Sequence, residues 1–169
     1  MTSHDGLHVL QAITIAAPAP RVWSALVEEP SQWWGSPYLL IDDADTRLVI
    51  DARLGGQVRE EAGDHQASWG TITEIAPGRV LSWTGQMGMG GAATGVVSYH
   101  LGEAGDGTTR VTVEHHAIGV FGPAMAQSYD YGWADLNARL RAWVQDGAAH
   151  GVAGSNTAPQ FTFEPTAAR

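Results

Sequence analysis

The chain has 169 residues, of which 44% are hydrophobic, and it carries 9 basic against 18 acidic side chains, for a formal net charge of -9. That length predicts one globular domain rather than two. All nine basic residues are arginines spread singly along the chain, so the sequence predicts neither a nucleic-acid partner nor an anionic-membrane partner. The absence of cysteine excludes disulfides, thiolate zinc sites and cysteine nucleophiles, and the absence of lysine excludes Schiff-base chemistry.

The beginning of the chain and its hydropathy predict a cytoplasmic protein. No stretch approaches the roughly 20 consecutive apolar residues that a helix needs to cross a bilayer. The first residues, Met1–Asp5, lack both the basic segment and the apolar segment of a secretory leader. We therefore expect the chain to act in the cytoplasm.

The first part of the chain predicts one strand followed by two short helices. Alternating β-branched residues over about Leu7–Ala16 are typical of a strand. Pro18 and Pro20 then favour a helix start, because a proline in the first turn lacks only an N–H that this turn leaves unpaired. A shorter helical turn follows Pro30, and Ser31 is its expected cap.

The middle of the chain predicts an antiparallel meander. Six segments combine strand-forming residues with period-two hydrophobicity. They cover about Arg47–Leu54, Gln57–Ala62, Ala67–Ile75, Val80–Met87, Val96–Leu101 and Arg110–His116. The links between them are short, and such links allow only antiparallel neighbours, because a parallel crossover needs a dozen or more residues.

The end of the chain predicts a long amphipathic helix and a tail. The helix is expected to begin at Pro123 and to end near Asp146. Seven of its apolar residues fall within an arc of roughly 100°: Met125, Tyr129, Trp133, Leu136, Leu140, Trp143 and Val144. Residues 148–169 carry too little apolar surface to offset the entropy of ordering, so they are predicted to be a flexible tail. Phe161 and Phe163 are the one strand-like feature of this tail.

A glycine-rich segment lies between two of the predicted strands. Residues Gly88–Ala93 match the permissive dinucleotide fingerprint G-x-G-x-x-G/A. A strand follows the segment where the fingerprint requires a helix, so no nucleotide and no other cofactor is expected. We interpret the segment as a flexible hairpin loop and a candidate lid, because glycine-rich loops make few contacts that fix them.

The order of the elements and four sequence segments resemble a known superfamily. One strand, two short helices, six strands and a long C-terminal helix, βααββββββα, is the order of the START-like helix-grip fold, also called SRPBCC. Four segments resemble its bacterial branch related to the activator of heat-shock-protein-90 ATPase: ITIAAPAPRVWSALVEEPSQWWG, LGGQVRE, WGTITEIAPGRVLSWTG and GWADLNARLRAWV. They occur in the family's order and cover most of residues 7–147.

The resemblance implies an α+β fold in which a curved antiparallel sheet of about seven strands wraps around the C-terminal helix. It implies one START-like domain over residues 1–147, with an apolar cavity between sheet and helix. It implies no single reaction, because this fold carries ligand carriers, cyclases, hydroxylase partners and co-chaperone domains. The co-chaperone role transfers poorly, since activators that stimulate the chaperone have an additional N-terminal domain for which this chain has no room.

Strand alternation and the helical stripe predict which side chains would line such a cavity. The candidate ligand-binding residues are Trp69, Trp83, Tyr99, His115, Met125, Tyr129 and Trp133. Trp33 and Trp34, together with Trp69, are expected near its mouth. Tryptophan and tyrosine suit an amphipathic ligand, since each combines a flat apolar surface with one polar atom. The alternative is that these rings only fill the core.

His115 is the candidate for acid–base chemistry. Adjacent strand residues point to opposite faces, so only one of His115 and His116 can face the interior. If that residue is His115, a buried imidazole would hydrogen-bond a ligand or move a proton near neutral pH. Asp130 or Glu60 is its expected carboxylate partner.

The other ionisable clusters predict no site. The acidic pairs are interpreted as solvated faces or loops: Glu28-Glu29, Asp42-Asp43 and Glu60-Glu61. His4 and His8 have the spacing of a helical metal site, but no helix signal surrounds them, so no metal is expected.

The sequence leaves three functions open. The first is binding of a small hydrophobic or aromatic ligand between the sheet and the C-terminal helix. The second is a cyclase or dehydratase that moves protons on a polyketide-like or aromatic substrate through His115. The third is a co-chaperone-like interaction module that contacts another protein through the surface of the sheet or through the tail with Phe161 and Phe163. Removal of residues 148–169 would abolish partner binding under this third function and leave ligand binding intact under the first. The oligomeric state is also left open, a homodimer included.

Overall fold

The structure, a computed structural model, describes residues 5–89 and 93–148. The strands in these ranges are β1 (Asp5–Ile15), β2 (Arg47–Ile50), β3 (Gln57–Ala62), β4 (His65–Ala76), β5 (Val80–Gly85), β6 (Ala93–Glu103) and β7 (Thr109–Gly119). The helices are α1 (Ala19–Val27), α2 (Pro30–Trp33) and α3 (Pro123–Asp146). The α+β class and the element order βααββββββα are confirmed.

The seven strands of the described ranges form one curved antiparallel sheet in the order β1-β7-β6-β5-β4-β3-β2. From β2 to β7 each strand pairs with the next one along the chain, as the short links predicted. β1 instead pairs with β7, with Asp5 opposite Gly119 and Ile15 opposite Thr109. α3 packs across the inner face of this sheet, which is the arrangement of the helix-grip fold.

The observed strand limits differ from the predicted ones at several strands: β6 and β7 are longer than the predicted Val96–Leu101 and Arg110–His116, and β2 is shorter than predicted. The sequence predicted a strand over Arg47–Leu54, whereas β2 ends at Ile50. A tight turn follows, in which the Arg53 N–H donates to the Asp51 carbonyl and the Gly56 N–H donates to the Arg53 carbonyl. These backbone groups bond locally, so they cannot continue the ladder to β3.

α2 is attached to its neighbours by side chains rather than by the predicted cap. Glu29 occupies the N-cap position, and the Ser31 hydroxyl donates instead to the Leu48 carbonyl of β2 at 2.7 Å. The Trp33 indole N–H donates to the Ala25 carbonyl of α1 at 3.0 Å. These bonds fix α2 between α1 and the edge of the sheet, with its tryptophan in the core.

α3 buries the centre of its apolar stripe against the sheet. Trp133, Leu136 and Leu140 are almost completely buried. The other predicted members of the stripe are half-buried: Met125, Tyr129, Trp143 and Val144. The Asn137 amide, also buried, donates to the side-chain oxygen of Gln11 at 3.1 Å, which ties α3 to β1.

β4 and β5 approach each other closely at two glycines. A Cβ on Gly85 would lie 2.4 Å from the Trp69 carbonyl oxygen and 2.5 Å from the Gly70 Cα. A Cβ on Gly70 would lie 2.7 Å from the Thr84 carbonyl oxygen. The missing side chains therefore permit the close strand contact that sets the positions of Trp69 and of the neighbouring Trp83.

Gly85→Ala is expected to lower the free energy of unfolding by about 2 kcal/mol, because the added methyl group overpacks this contact. Gly102→Ala in β6 is the matched control, since a Cβ there meets no atom within 4 Å. Urea unfolding measures the free energy of unfolding of both variants. Equal effects at the two positions would contradict the close-contact explanation.

Several predicted features lie outside the described residues. They are His4, residues 90–92 of the glycine-rich loop, and residues 149–169 with Phe161 and Phe163. Within the ranges that the structure does describe, no helix combines the length and the hydropathy needed to cross a membrane.

Candidate functional site

The inner face of the sheet presents two adjacent rows of side chains to α3. In the first row the register aligns Trp83, Val97 and His115. In the second it aligns Leu81, Tyr99 and Val113. All six residues are fully buried, so the inward orientation predicted from alternation is confirmed.

Trp133 of α3 lies at the centre of the inner face. Its indole N–H donates to Nδ1 of His115 at 3.0 Å. Its ring meets those of Tyr99 and Trp34 edge-on, with centroid distances of 6.1 and 5.6 Å. Trp34 in turn contacts Trp69 with a centroid distance of 5.3 Å. One helix residue therefore connects the sheet histidine to an aromatic cluster that extends to α2.

His115 is neutral at pH 7 and carries its proton on Nε2. Burial and, to a smaller extent, the charge of His116 lower the pKa of His115 to about 4. Because Nδ1 accepts the hydrogen bond from Trp133, the hydrogen of the neutral ring resides on Nε2. This Nε2 is buried and has no hydrogen-bond partner among the described residues. The ring of Tyr129 packs beside it, with a centroid distance of 5.3 Å.

Small residues beside Nε2 explain why it has no partner. Gly85, Gly95 and Ala117 are aligned in the row next to that of His115. A Cβ on Gly95 would lie 3.1 Å from Nε2, so the imidazole packs directly against this glycine. None of the three side chains in the row has an acceptor to offer to the N–H.

Tyr99 carries a second unpaired polar atom. Its hydroxyl is buried without a hydrogen-bond partner among the described residues. Burial also raises the pKa of Tyr99, so the hydroxyl stays protonated. The ring stacks on Trp83, with a centroid distance of 5.8 Å and 23° between the ring planes. Buried polar groups without a partner are rare, because each costs about 1–3 kcal/mol.

The segment Gln86–Met89, which follows β5, packs against Tyr129 and Trp83. The Tyr129 hydroxyl donates to the Met87 carbonyl oxygen at 2.6 Å, and the Trp83 indole N–H donates to the Met87 sulfur at 3.0 Å. Met87 and Met89 are almost completely buried. Met87 also has a φ of 52°, a left-handed conformation that is strained for a residue with a side chain. Specific contacts therefore pack Met87 and Met89 into the interior.

Glu60 is fully buried, so its interpretation as a solvated residue is wrong. Its carboxylate accepts hydrogen bonds from the backbone N–H groups of Leu40 and Ile41, at 2.8 and 2.9 Å, and from the indole N–H of Trp69. It thus holds the loop before β2 and orients Trp69. Alternation with the buried Val58 on the same strand is the signal that placed Glu60 on the inner face.

Neither predicted carboxylate partner reaches His115. Glu60 bonds to the groups just described, and Asp130 accepts a hydrogen bond from the amide of Gln11 at 3.0 Å. The partner of His115 is the indole of Trp133. The expectation of a histidine–carboxylate pair is therefore wrong, because the rotation of α3 places an indole over the imidazole.

Six of the seven predicted ligand-binding residues are joined by the contacts described above: Trp69, Trp83, Tyr99, His115, Tyr129 and Trp133. Met125 lies half-buried near the start of α3. Trp33 and Trp34, like Trp69, are less than 10% exposed. These three tryptophans belong to the packed interior, and their place at the mouth of a cavity stays a prediction.

The fold and its aromatic interior define a START-like protein of the SRPBCC superfamily. A sequence model of the family described as Activator of Hsp90 ATPase homolog 1-like protein matches residues 16–145. The chain belongs to this family, as the four segments predicted.

Solved structures resemble the chain at low sequence identity. A conserved protein of unknown function from Enterococcus faecalis is 16% identical, with 88% of this chain and 81% of that chain covered and a TM-score of 0.63. CalU16 from Micromonospora echinospora is 20% identical, with 85% and 84% covered and a TM-score of 0.60. DynU16, from the dynemicin biosynthetic locus, is 20% identical, with 84% of this chain but 48% of that chain covered and a TM-score of 0.61. These likenesses concern the fold alone, and no curated protein matches the sequence.

Proposed function

We propose that the protein binds a small, largely apolar or aromatic molecule between the sheet and α3. The observation that carries the proposal is the pair of unpartnered buried polar atoms, Nε2 of His115 and the hydroxyl of Tyr99, among the aromatic rings of the inner face. Left unpaired, each destabilises the fold. A ligand that hydrogen-bonds them removes this penalty, so part of its binding energy comes from the protein's own unsatisfied groups.

The two atoms specify the polar chemistry of the ligand. The Nε2–H of His115 can only donate, so the ligand must offer an acceptor, such as a carbonyl or hydroxyl oxygen. The Tyr99 hydroxyl can donate or accept. The rings of Trp83 and Trp133 provide flat apolar surfaces for the rest of the molecule. An uncharged aromatic compound with one hydroxyl or carbonyl group fits best, because burial of an ionised group would be costly.

Entry of the ligand requires the segment Gln86–Met89 to move away from α3. The hydrogen bond from Tyr129 to Met87 joins the segment to the helix, and the left-handed backbone of Met87 opposes it with stored strain. Opening therefore breaks this hydrogen bond together with those that join Met87 to Trp83 and Trp69, and the strain released at Met87 offsets part of that cost. Gly88 and Met89 of this segment belong to the predicted lid, Gly88–Ala93.

Acid–base catalysis at His115 gains no comparable support. Its ring is bonded to an indole rather than to a carboxylate, and its lowered pKa makes it a weak base at neutral pH. We therefore propose binding rather than turnover as the primary role of the site.

Native mass spectrometry and a matched pair of probes test the proposal. The freshly purified protein is first compared with its denatured mass to detect a bound molecule. The emptied protein is then titrated with 2-naphthol and with naphthalene, followed by tryptophan fluorescence. We expect 2-naphthol to bind about tenfold more tightly, since one additional hydrogen bond is worth about 1 kcal/mol or slightly more. No retained molecule and no binding of either probe would overturn the proposal.

Tyr99→Phe should raise the stability of the protein and weaken its binding of 2-naphthol. Removal of an unpaired buried hydroxyl is expected to increase the free energy of unfolding by about 1 kcal/mol. Naphthalene affinity should not change, because the ring remains. Tyr129→Phe is the matched control: it removes a hydroxyl that is hydrogen-bonded to Met87, so it should destabilise the protein. A destabilised Tyr99→Phe protein would contradict the assignment of this hydroxyl as unpaired.

A further inference from the structure

A separate cluster of donor atoms lies on the outer face of the sheet. His8 on β1 is directly opposite His116 on β7, and Glu114 precedes His116 by two residues, so the three side chains share one face. The cluster is on the opposite face from His115 and is independent of the proposed binding site. The two histidines are 108 residues apart in the chain, and only the pairing of β1 with β7 brings them together.

The geometry of the cluster is convergent. Nε2 of His8 lies 3.0 Å, and Nε2 of His116 lies 2.8 Å, from the same oxygen, Oε1 of Glu114. The two imidazole rings are stacked, with a centroid distance of 4.1 Å and 8° between their planes. One ligand atom from each residue lies within 4.8 Å of the others.

We propose that His8, Glu114 and His116 bind a divalent transition-metal ion of the Zn²⁺ type. Two imidazole nitrogens and one carboxylate oxygen are a ligand set that zinc commonly takes. Nitrogen and oxygen ligands about 2.0–2.1 Å from a tetrahedral zinc ion are separated from each other by about 3.3 Å. The observed nitrogen–oxygen distances need to grow by only a few tenths of an ångström. The two imidazole rings, which are stacked nearly parallel, have to turn about their side-chain torsions so that both nitrogens point at one ion.

The site is preorganised and accessible. Two paired strands fix the positions of the three Cβ atoms, which limits the ordering that the ion has to impose. The side chains of His8, Glu114 and His116 are 52%, 36% and 58% exposed, so an ion reaches them from solvent. Three protein ligands leave a fourth tetrahedral position open, which water or an external ligand fills.

Titration calorimetry with zinc chloride, on full-length protein freed of metal with EDTA, tests the proposal. We expect one ion per chain. His116→Asn and Glu114→Gln should each weaken binding by more than about tenfold, because each removes one of three ligands. His100→Asn is the matched control, since His100 is an exposed histidine on β6 that belongs to no such cluster among the described residues. His8→Asn provides a third variant should either of the first two fail to fold.

Nuclear magnetic resonance spectra of the histidine ring nitrogens report zinc binding independently of the stability of the variants. Addition of Zn²⁺ should shift the Nε2 signals of His8 and His116 and leave that of His100 in place. The proposal is overturned if no ion binds below roughly 100 μM, a concentration that a three-ligand protein site should saturate. It is equally overturned if His116→Asn binds zinc as tightly as the unaltered protein, or if the shifted signals belong to other histidines.

Discussion

Trp133→Ala is expected to lower the free energy of unfolding by about 4 kcal/mol. The substitution removes the ring that contacts Tyr99 and Trp34 and the N–H that Nδ1 of His115 accepts. It leaves a cavity lined by aromatic rings in the middle of the inner face, where rigid strands prevent collapse. Urea unfolding followed by circular dichroism measures the loss without relying on the fluorescence of the deleted residue.

Indole provides a chemical test of the same prediction. Apolar cavities made by truncation of a buried ring bind molecules of matching size. Added indole should therefore raise the urea midpoint of Trp133→Ala more than that of the unaltered protein. Trp143→Ala is the matched control on α3, because Trp143 is only half-buried and its indole N–H bonds to Glu29. Equal responses of the two variants to indole would show that Trp133 does not fill an enclosed space.

Glu60→Gln should destabilise the protein by about 3 kcal/mol, although it changes neither the length nor the shape of the side chain. Three N–H donors converge on the carboxylate, from the backbone of Leu40 and Ile41 and from the indole of Trp69. A glutamine amide offers one acceptor oxygen, and its NH₂ group would point at donors. At least one buried N–H therefore loses its partner. Urea unfolding measures the stability, and near-ultraviolet circular dichroism reports the packing of the tryptophan rings.

Glu61→Gln is the control for this experiment. Glu61 is the next residue on β3 and pairs with Arg47 and Arg59 through the side of the strand opposite to Glu60. Ion pairs at the surface contribute little, because water and salt screen them. The effect of Glu61→Gln should thus be much smaller than that of Glu60→Gln. Similar losses of stability for the two variants would mean that the buried hydrogen bonds of Glu60 stabilise the protein no more than an ion pair at the surface does.

The element order could be predicted from the sequence because each element has a local signal. A period of two in β5, β6 and β7 was sufficient to assign Trp83, Tyr99 and His115 to the inner face. Prolines located the start of α1 and α3, since they suit only the first turn of a helix. The length error at β2 came from a turn whose backbone bonds are not encoded by hydrophobicity, whereas the predicted β6 and β7 were too short at their ends.

The contacts of the candidate site could not be predicted in the same way. The partner of His115 depends on how α3 is rotated over the sheet, and a stripe of roughly 100° leaves several residues able to face the imidazole. The pairing of His8 with His116 depends on the register of strands far apart in the chain. The burial of Glu60 could have been predicted from the alternation of its strand. However, an isolated carboxylate is usually exposed to solvent. The three N–H groups that hydrogen-bond to Glu60 come from other segments, which the pattern of its own strand does not reveal.

The placement of β1 affects how the nascent chain folds. Strands β2 to β7 can pair one after another as they are synthesised, because each has its partner nearby in sequence. β1 is made earlier but pairs with β7, and Asp5 lies 114 residues before Gly119, its partner in the ladder (119 − 5 = 114). Closure over such a separation is slow compared with local pairing. Until it occurs, β7 has an unpaired edge on which two nascent chains can associate, so β1 acts as an intramolecular cap against aggregation during synthesis.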